Sequence, residues 1–132
     1  MSLRLLNAVV LADDVVRLRD WWIEVVGLEL LQEWTDSYHY AELGKDGQLV
    51  MGIADAKEMD AAPPTPRANA VIAQLRVDDV KTFLARITEK GGKVTFGPAY
   101  EEGEGFWYGG FEDGEGNAVW VVGPSSHDQH RE

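Results

Sequence analysis

The chain has 132 residues, 45% hydrophobic, 27% charged and 10% aromatic, which fits one domain or two small halves sharing a core. Cysteine is absent, so a disulfide framework, a thiolate zinc site, an iron–sulfur cluster and a cysteine nucleophile are excluded. Twelve basic against 23 acidic residues give a net charge of −11, which repels phosphate backbones and argues against a nucleic-acid partner. No apolar run approaches the ~20 residues of a membrane span and no signal peptide opens the chain, so the expectation is no membrane partner and a cytoplasmic location.

The segment from Asn7 to Ala12 is apolar, rich in β-branched residues and too short for a free-standing helix, which predicts a strand. Asp14 follows where a helix N-cap belongs, able to accept from the amides of the first turn. Val15, Leu18, Trp22, Val25 and Val26 then recur at helical spacing, and Gly27 stands where a left-handed C-cap favours glycine. Trp21 and Trp22 are adjacent on this helix, so one is expected in the core and the other near a boundary or a subunit interface. Three short runs come next, at residues 28–35, 38–43 and 48–54, with Lys45-Asp46-Gly47 as a hairpin-type turn. Pro63-Pro64-Thr65-Pro66 cannot join a sheet ladder and predicts an extended spacer.

The same order then repeats. A strand near residues 70–77 leads to Asp79 as a second N-cap, followed by Val80, Phe83, Leu84 and Ile87 at helical spacing and by Gly91-Gly92. Strands are expected near 93–96, 106–112 and 117–123, the last two joined by Asp113-Gly114-Glu115-Gly116. The polar tail is expected to be loose. The boundaries so drawn are a first module at about 3–55, a connector at about 56–69, a second module at about 70–124 and a tail at 125–132.

The repetition is visible in the residues. The segment from Asn7 to Val15 lies over that from Ile72 to Val80, 65 residues on, and both end in Asp-Asp-Val. Later, Asp46-Gly47-Gln48-Leu49-Val50-Met51 lies over Glu115-Gly116-Asn117-Ala118-Val119-Trp120, 69 residues on. Alternation along the fifth strand puts Val71, Ala73, Leu75 and Val77 on an apolar face suited to a helix, and Ile72, Gln74 and Arg76 on a wetter one.

Strand, capped helix and three strands, twice over, resemble the vicinal oxygen chelate superfamily, which includes glyoxalase I, extradiol dioxygenases and the bleomycin- and fosfomycin-resistance proteins. Phe111-Glu-Asp113-Gly-Glu-Gly116-Asn117 is similar to the family's F-x-D-P-D-G-N turn, with Gly114 in place of proline. Trp22-Ile-Glu-Val-Val-Gly27-Leu28-Glu-Leu30 is similar to its helix exit. The resemblance implies an α+β fold in which two βαβββ modules form a curved eight-stranded cup, with helices on the convex side and the ligand on the concave one. It also implies a homodimer.

The family's metal positions, carried over by these alignments, fall on Asn7, Met51, Ile72 and Trp120. Asn7 offers one neutral oxygen, Met51 a soft thioether, and Ile72 and Trp120 no donor, so no metal and no cofactor are expected. His39 stands alone in its strand, and His127 and His130 lie in the tail. Asp13-Asp14 and Asp78-Asp79 are explained by helix capping, Ser37 and His39 lack a third partner for nucleophilic catalysis, and no phosphate-cradling loop is present. Trp120 is expected to project into the cup and stack on a planar ligand, and the acidic loop from Tyr100 to Gly105 to favour a cation at its mouth. The candidate ligand-binding residues are Asn7, Val9, Met51, Ile72, Gln74, Glu102, Trp107 and Trp120.

Two functions from different classes follow. One is a metal-free binding protein, similar to the bleomycin-resistance type, that sequesters an aromatic or cationic small molecule. The alternative is a glyoxalase- or dioxygenase-like lyase, isomerase or oxygenase with an atypical or absent metal site. Its base would be His39 or a glutamate of residues 101–104, and its acid Tyr38 or Tyr108. A regulatory module whose own side chains fill the cup is a third reading.

Overall fold

The computed structural model describes residues 6–58 and 72–124. Most of the expected connector and all of the tail, with His127 and His130, lie outside the described residues. The chain divides into two compact units, Met1–Thr65 and Pro66–Glu132, each taken by itself below as module 1 and module 2.

Module 1 runs β1 (Ala8–Ala12), α1 (Val15–Trp21), β2 (Glu29–Trp34), β3 (Tyr40–Lys45) and β4 (Gln48–Asp55). Module 2 runs β5 (Ala73–Arg76), α2 (Val80–Glu89), β6 (Lys93–Glu101), β7 (Phe106–Glu112) and β8 (Ala118–Pro124). Each builds one four-stranded sheet, in the orders β1-β4-β3-β2 and β5-β8-β7-β6. The first strand of each lies parallel to the last, and the other neighbours are antiparallel. The fold class is therefore α+β, two βαβββ modules, as the repeat predicts.

Both helices start on the expected aspartates. The Asp14 carboxylate accepts from the Arg17 amide and that of Asp79 from the Thr82 amide, each at 3.1 Å. The first helix is not uniform, because its end, Trp22–Val26, is a π-helical turn. The amides of Gly27 and Leu28 both return to the Trp22 carbonyl, and Gly27 takes φ 96°, left-handed, to release the chain. This bonding is set by the exit, so apolar spacing alone does not reveal it. Of the paired tryptophans, Trp22 is buried and Trp21 is partly exposed.

One face of each sheet is closed by its helix. Trp22, Leu18 and Val15 bury against Ala41, Leu43, Ile53 and Ala12 in module 1, and Val80, Leu84 and Ile87 against Phe111, Val119 and Val121 in module 2. Full burial of each Val, Leu, Ile or Phe among them is worth about 1.5–3 kcal/mol. Between the last two strands of module 2, the Asp113 carboxylate accepts from the amides of Glu115 and Asn117 and from the Asn117 side chain. The family-like turn thus satisfies its own buried polar groups.

β6 is longer than the expected 93–96. Gly97-Pro98 lies just beyond the expected strand, yet pairing resumes at Ala99↔Tyr108 after a register shift. β6 is an edge strand, where proline removes no hydrogen bond the sheet needs. Tyr100 and Glu101 consequently belong to the strand, not to the acidic loop.

Candidate functional site

The face of each sheet opposite its helix is open, and alternation decides which side chains stand on it. In module 2, Gly109 and Gly123 turn toward α2, where an added Cβ would meet Leu84 and Val80. Their neighbours Phe106, Tyr108, Trp120 and Val122 therefore project to the open side. Gln74 is the cross-strand partner of Trp120 and stands with it. Phe96 reaches the same place from the edge strand, and its ring lies over Gly110, where any Cβ would collide with it.

The result is a cavity of about 340 Å³ lined by Gln74, Phe96, Phe106, Tyr108, Trp120 and Val122. Trp120 and Phe96 meet edge to face at 6.4 Å, while Phe96 and Tyr108 at 6.3 Å and Phe106 and Tyr108 at 6.0 Å are tilted pairs. Trp120 is 43% exposed and Phe96 41%. Large rings left in water beside a concave surface mark a place for an apolar ligand.

Module 1 presents a different open face. Gly52 lies across from Glu42 on β3 and Val9 on β1, and the Tyr40 ring fills the place of its missing side chain. From there the Tyr40 hydroxyl accepts from Asn7 Nδ2 at 3.4 Å and donates to Glu42 Oε2 at 3.4 Å. Trp34 stacks on Tyr40 at 5.6 Å with the planes 28° apart.

A separate polar cluster lies on the helix side of module 1. Arg19 of α1 donates to both oxygens of Glu33, at 2.9 and 2.8 Å, and His39 Nε2 lies 2.6 Å from Glu33 Oε2. The His39 hydrogen bond, with Arg19 beside it and against the cost of burial, holds the Glu33 carboxyl below its ordinary range. His39 is thus engaged in tying β2 to its loop, and Arg19 ties the helix to the same carboxylate.

The sequence-derived candidates separate on these faces. Gln74 and Trp120 come together in the module 2 cavity, while Asn7 and exposed Val9 share the open face of module 1. Ile72, half-buried, immediately precedes β5. Glu102 is exposed in the turn after β6, and the turn is braced by Glu101, whose carboxylate accepts from the Glu104 amide at 2.6 Å. Two placements correct the sequence reading. Trp107 lies on the helix side of its sheet, under Lys81 Nζ at 4.5 Å from its ring, not beside Trp120. Met51 is buried on the helix side of module 1, at 4% exposure. The cause is a bulge: Gly44 pairs with Leu49 but Leu43 with Met51, so Val50 is an extra residue in β4. Pairing makes Val119 the counterpart of Met51, and Gly52 that of Trp120. Phe96, Phe106, Trp34, Tyr40 and Glu42 are not among the candidates that the sequence offers. The alternation of Phe106 and Tyr108 with Trp120 is a signal that could have found two of the module 2 rings.

The corrected positions make the donor set for a divalent ion poorer still. Asn7, Gly52, Ile72 and Trp120 offer one neutral oxygen between them, and among the described residues no three His, Asp or Glu side chains converge. These residues do not fit the family's metal.

Paired βαβββ modules, each with a helix on one face and an open face opposite, define a class of small two-module proteins. The model of the Glyoxalase/Bleomycin resistance protein/Dioxygenase superfamily matches residues 4–121, and the chain belongs to that superfamily. No curated protein matches the chain. Among solved structures, TnmS3, an antibiotic binding protein from Streptomyces sp. CB03234, is similar with a TM-score of 0.69 and 22% identity, covering 94% of this chain and 98% of that one. A superfamily member from Sphaerobacter thermophilus DSM 20745 has a TM-score of 0.76 at 16% identity, with 92% and 98% covered. TioX from Micromonospora sp. ML1 has a TM-score of 0.70 at 19% identity, with 89% and 96% covered. At these identities the likeness is one of fold.

Proposed function

We propose that this protein binds a flat aromatic small molecule without a metal, on the open face of module 2. The observation that carries the proposal is the exposed pair Trp120 and Phe96 above a cavity whose other walls are Phe106, Tyr108 and Val122. Affinity comes from stacking and from removing these rings from water, and the Gln74 amide orients the ligand by hydrogen bonding. The fold likeness to an antibiotic binding protein supports the choice of a natural product as ligand. A homodimer belongs to the same proposal and rests on the superfamily resemblance, and a cytoplasmic location is proposed with it.

The test is a tryptophan-fluorescence titration against a panel of aromatic antibiotics and aromatic metabolites. A saturable ligand is expected, with Trp120→Ala weakening it by roughly tenfold or more. Unchanged affinity in that variant contradicts the assignment. Elemental analysis is the second arm, because stoichiometric Mn, Fe, Ni or Zn in the purified protein contradicts a metal-free site and favours an enzyme.

A further inference from the structure

Module 1 holds a carboxylate that nothing above employs. Glu42 stands half-buried on the open face, between Gln32 on β2 and Gly52 on β4. Among the described residues it has no cationic partner, and its one hydrogen bond is the 3.4 Å link from the Tyr40 hydroxyl. The acids of the helix side are arranged otherwise, with Arg19 and His39 both on Glu33. A partly desolvated carboxylate without a counter-charge gains from any cation that reaches it.

Its surroundings suit an organic cation. Trp34 and Tyr40 stack beside Glu42, Trp34 is 37% exposed, and their faces carry the negative side of the ring quadrupole. Asn7 supplies a second acceptor. Its Nδ2 is spent on the Ala8 carbonyl and the Tyr40 hydroxyl, which leaves Oδ1 without a donor among the described residues. Asn7 Nδ2 and Glu42 Oε2 each lie 3.4 Å from one hydroxyl, so the two side chains border the same small area. Gly52 is what makes room, since any side chain there would displace the Tyr40 ring.

We infer that the open face of module 1 is a cation site, in which Glu42, walled by Trp34 and Tyr40 and joined by the Asn7 carbonyl oxygen, takes an organic ammonium group. A primary ammonium has three N–H donors and fits the two acceptors, while its carbon skeleton lies on the rings. Metal ions are a poor match, because one carboxylate and one amide oxygen leave most of a coordination shell to water.

The probes are benzylammonium and its uncharged counterpart benzyl alcohol, followed by the indole N–H resonances of the isotope-labelled protein, with Trp34 identified through Trp34→Phe. The Trp34 resonance is expected to shift saturably with benzylammonium, which binds about fivefold more tightly than the alcohol. Glu42→Gln should remove that preference and Tyr40→Phe weaken it. Glu24→Gln, which deletes an exposed charge elsewhere on the module, should retain it, separating a local site from the general pull of an acidic protein. Equal binding of the two probes, a preference surviving in Glu42→Gln, an equal loss in Glu24→Gln, or no saturable shift at Trp34 overturns the inference.

Discussion

Two modules with one topology carry open faces of contrasting chemistry. On β8 of module 2 the outward position holds Trp120, and the rings of Phe96, Phe106 and Tyr108 gather round it. On β4 of module 1 the paired position holds Gly52, and the Tyr40 ring lies across the gap to join Asn7 with Glu42. The helix faces differ far less, since both bury aliphatic residues and one large ring, Trp22 or Phe111. Repetition of the fold therefore needs only the buried face to be repeated. The open face contributes little to folding and is free to diverge, which is where the two proposed ligand chemistries reside.

The largest expected effects test the sameness of the buried faces. Trp22→Ala and Phe111→Ala should each cost about 3–5 kcal/mol in urea unfolding, because both rings are almost fully enclosed. A cost near zero in either would break the symmetry claimed here. Next come the faces of module 2. Trp120→Ala should lose roughly tenfold or more in ligand affinity while changing stability by less than about 1 kcal/mol, whereas Trp107→Phe, on the helix side, should leave affinity unchanged. Equal affinity losses would show that the two tryptophans share a site after all.

Charge pairing distinguishes the modules as well. Glu33→Gln should cost about 1–2 kcal/mol at pH 7, since its carboxylate takes hydrogen bonds from both Arg19 and His39. Because the folded protein holds this carboxyl below its ordinary range, the stabilisation is present above the unfolded pKa and is lost as pH falls through the folded one. The gap between wild type and variant should thus close below about pH 4, as acid-unfolding curves would record. In module 2 the comparable pair, Lys93 and Glu112, is 3.8 Å apart and open to water, so Glu112→Gln should change stability by less than about 0.5 kcal/mol. Gly52→Ala is expected to cost about 0.5–1 kcal/mol by displacing the Tyr40 ring. Its diagnostic sign is the loss of the Tyr40 links to Asn7 and Glu42, read from the Tyr40 ring resonances.

Much of this molecule is written in short segments of chain. Asp14 and Asp79 cap helices because a carboxylate one residue ahead of the first turn meets its bare amides wherever the helix later packs. Gly27 ends its helix and Asp113 with Asn117 closes its turn for reasons equally local. The two-module order follows from these signals, and so does the weakness of the donor set. What the chain alone left undecided is which side of a sheet each strand residue faces. Strand side chains alternate with period two, so a single extra residue exchanges the faces. Val50 is that residue in β4. It sends Met51 inward and Gly52 outward, and only the pairing of β4 with β3 discloses it. Trp107 is assigned to the helix side in the same way, by the strands and helix around it rather than by its neighbours in sequence. The local signals are settled by atoms a few residues apart, whereas the facing of a strand is settled by hydrogen bonds to partners far along the chain.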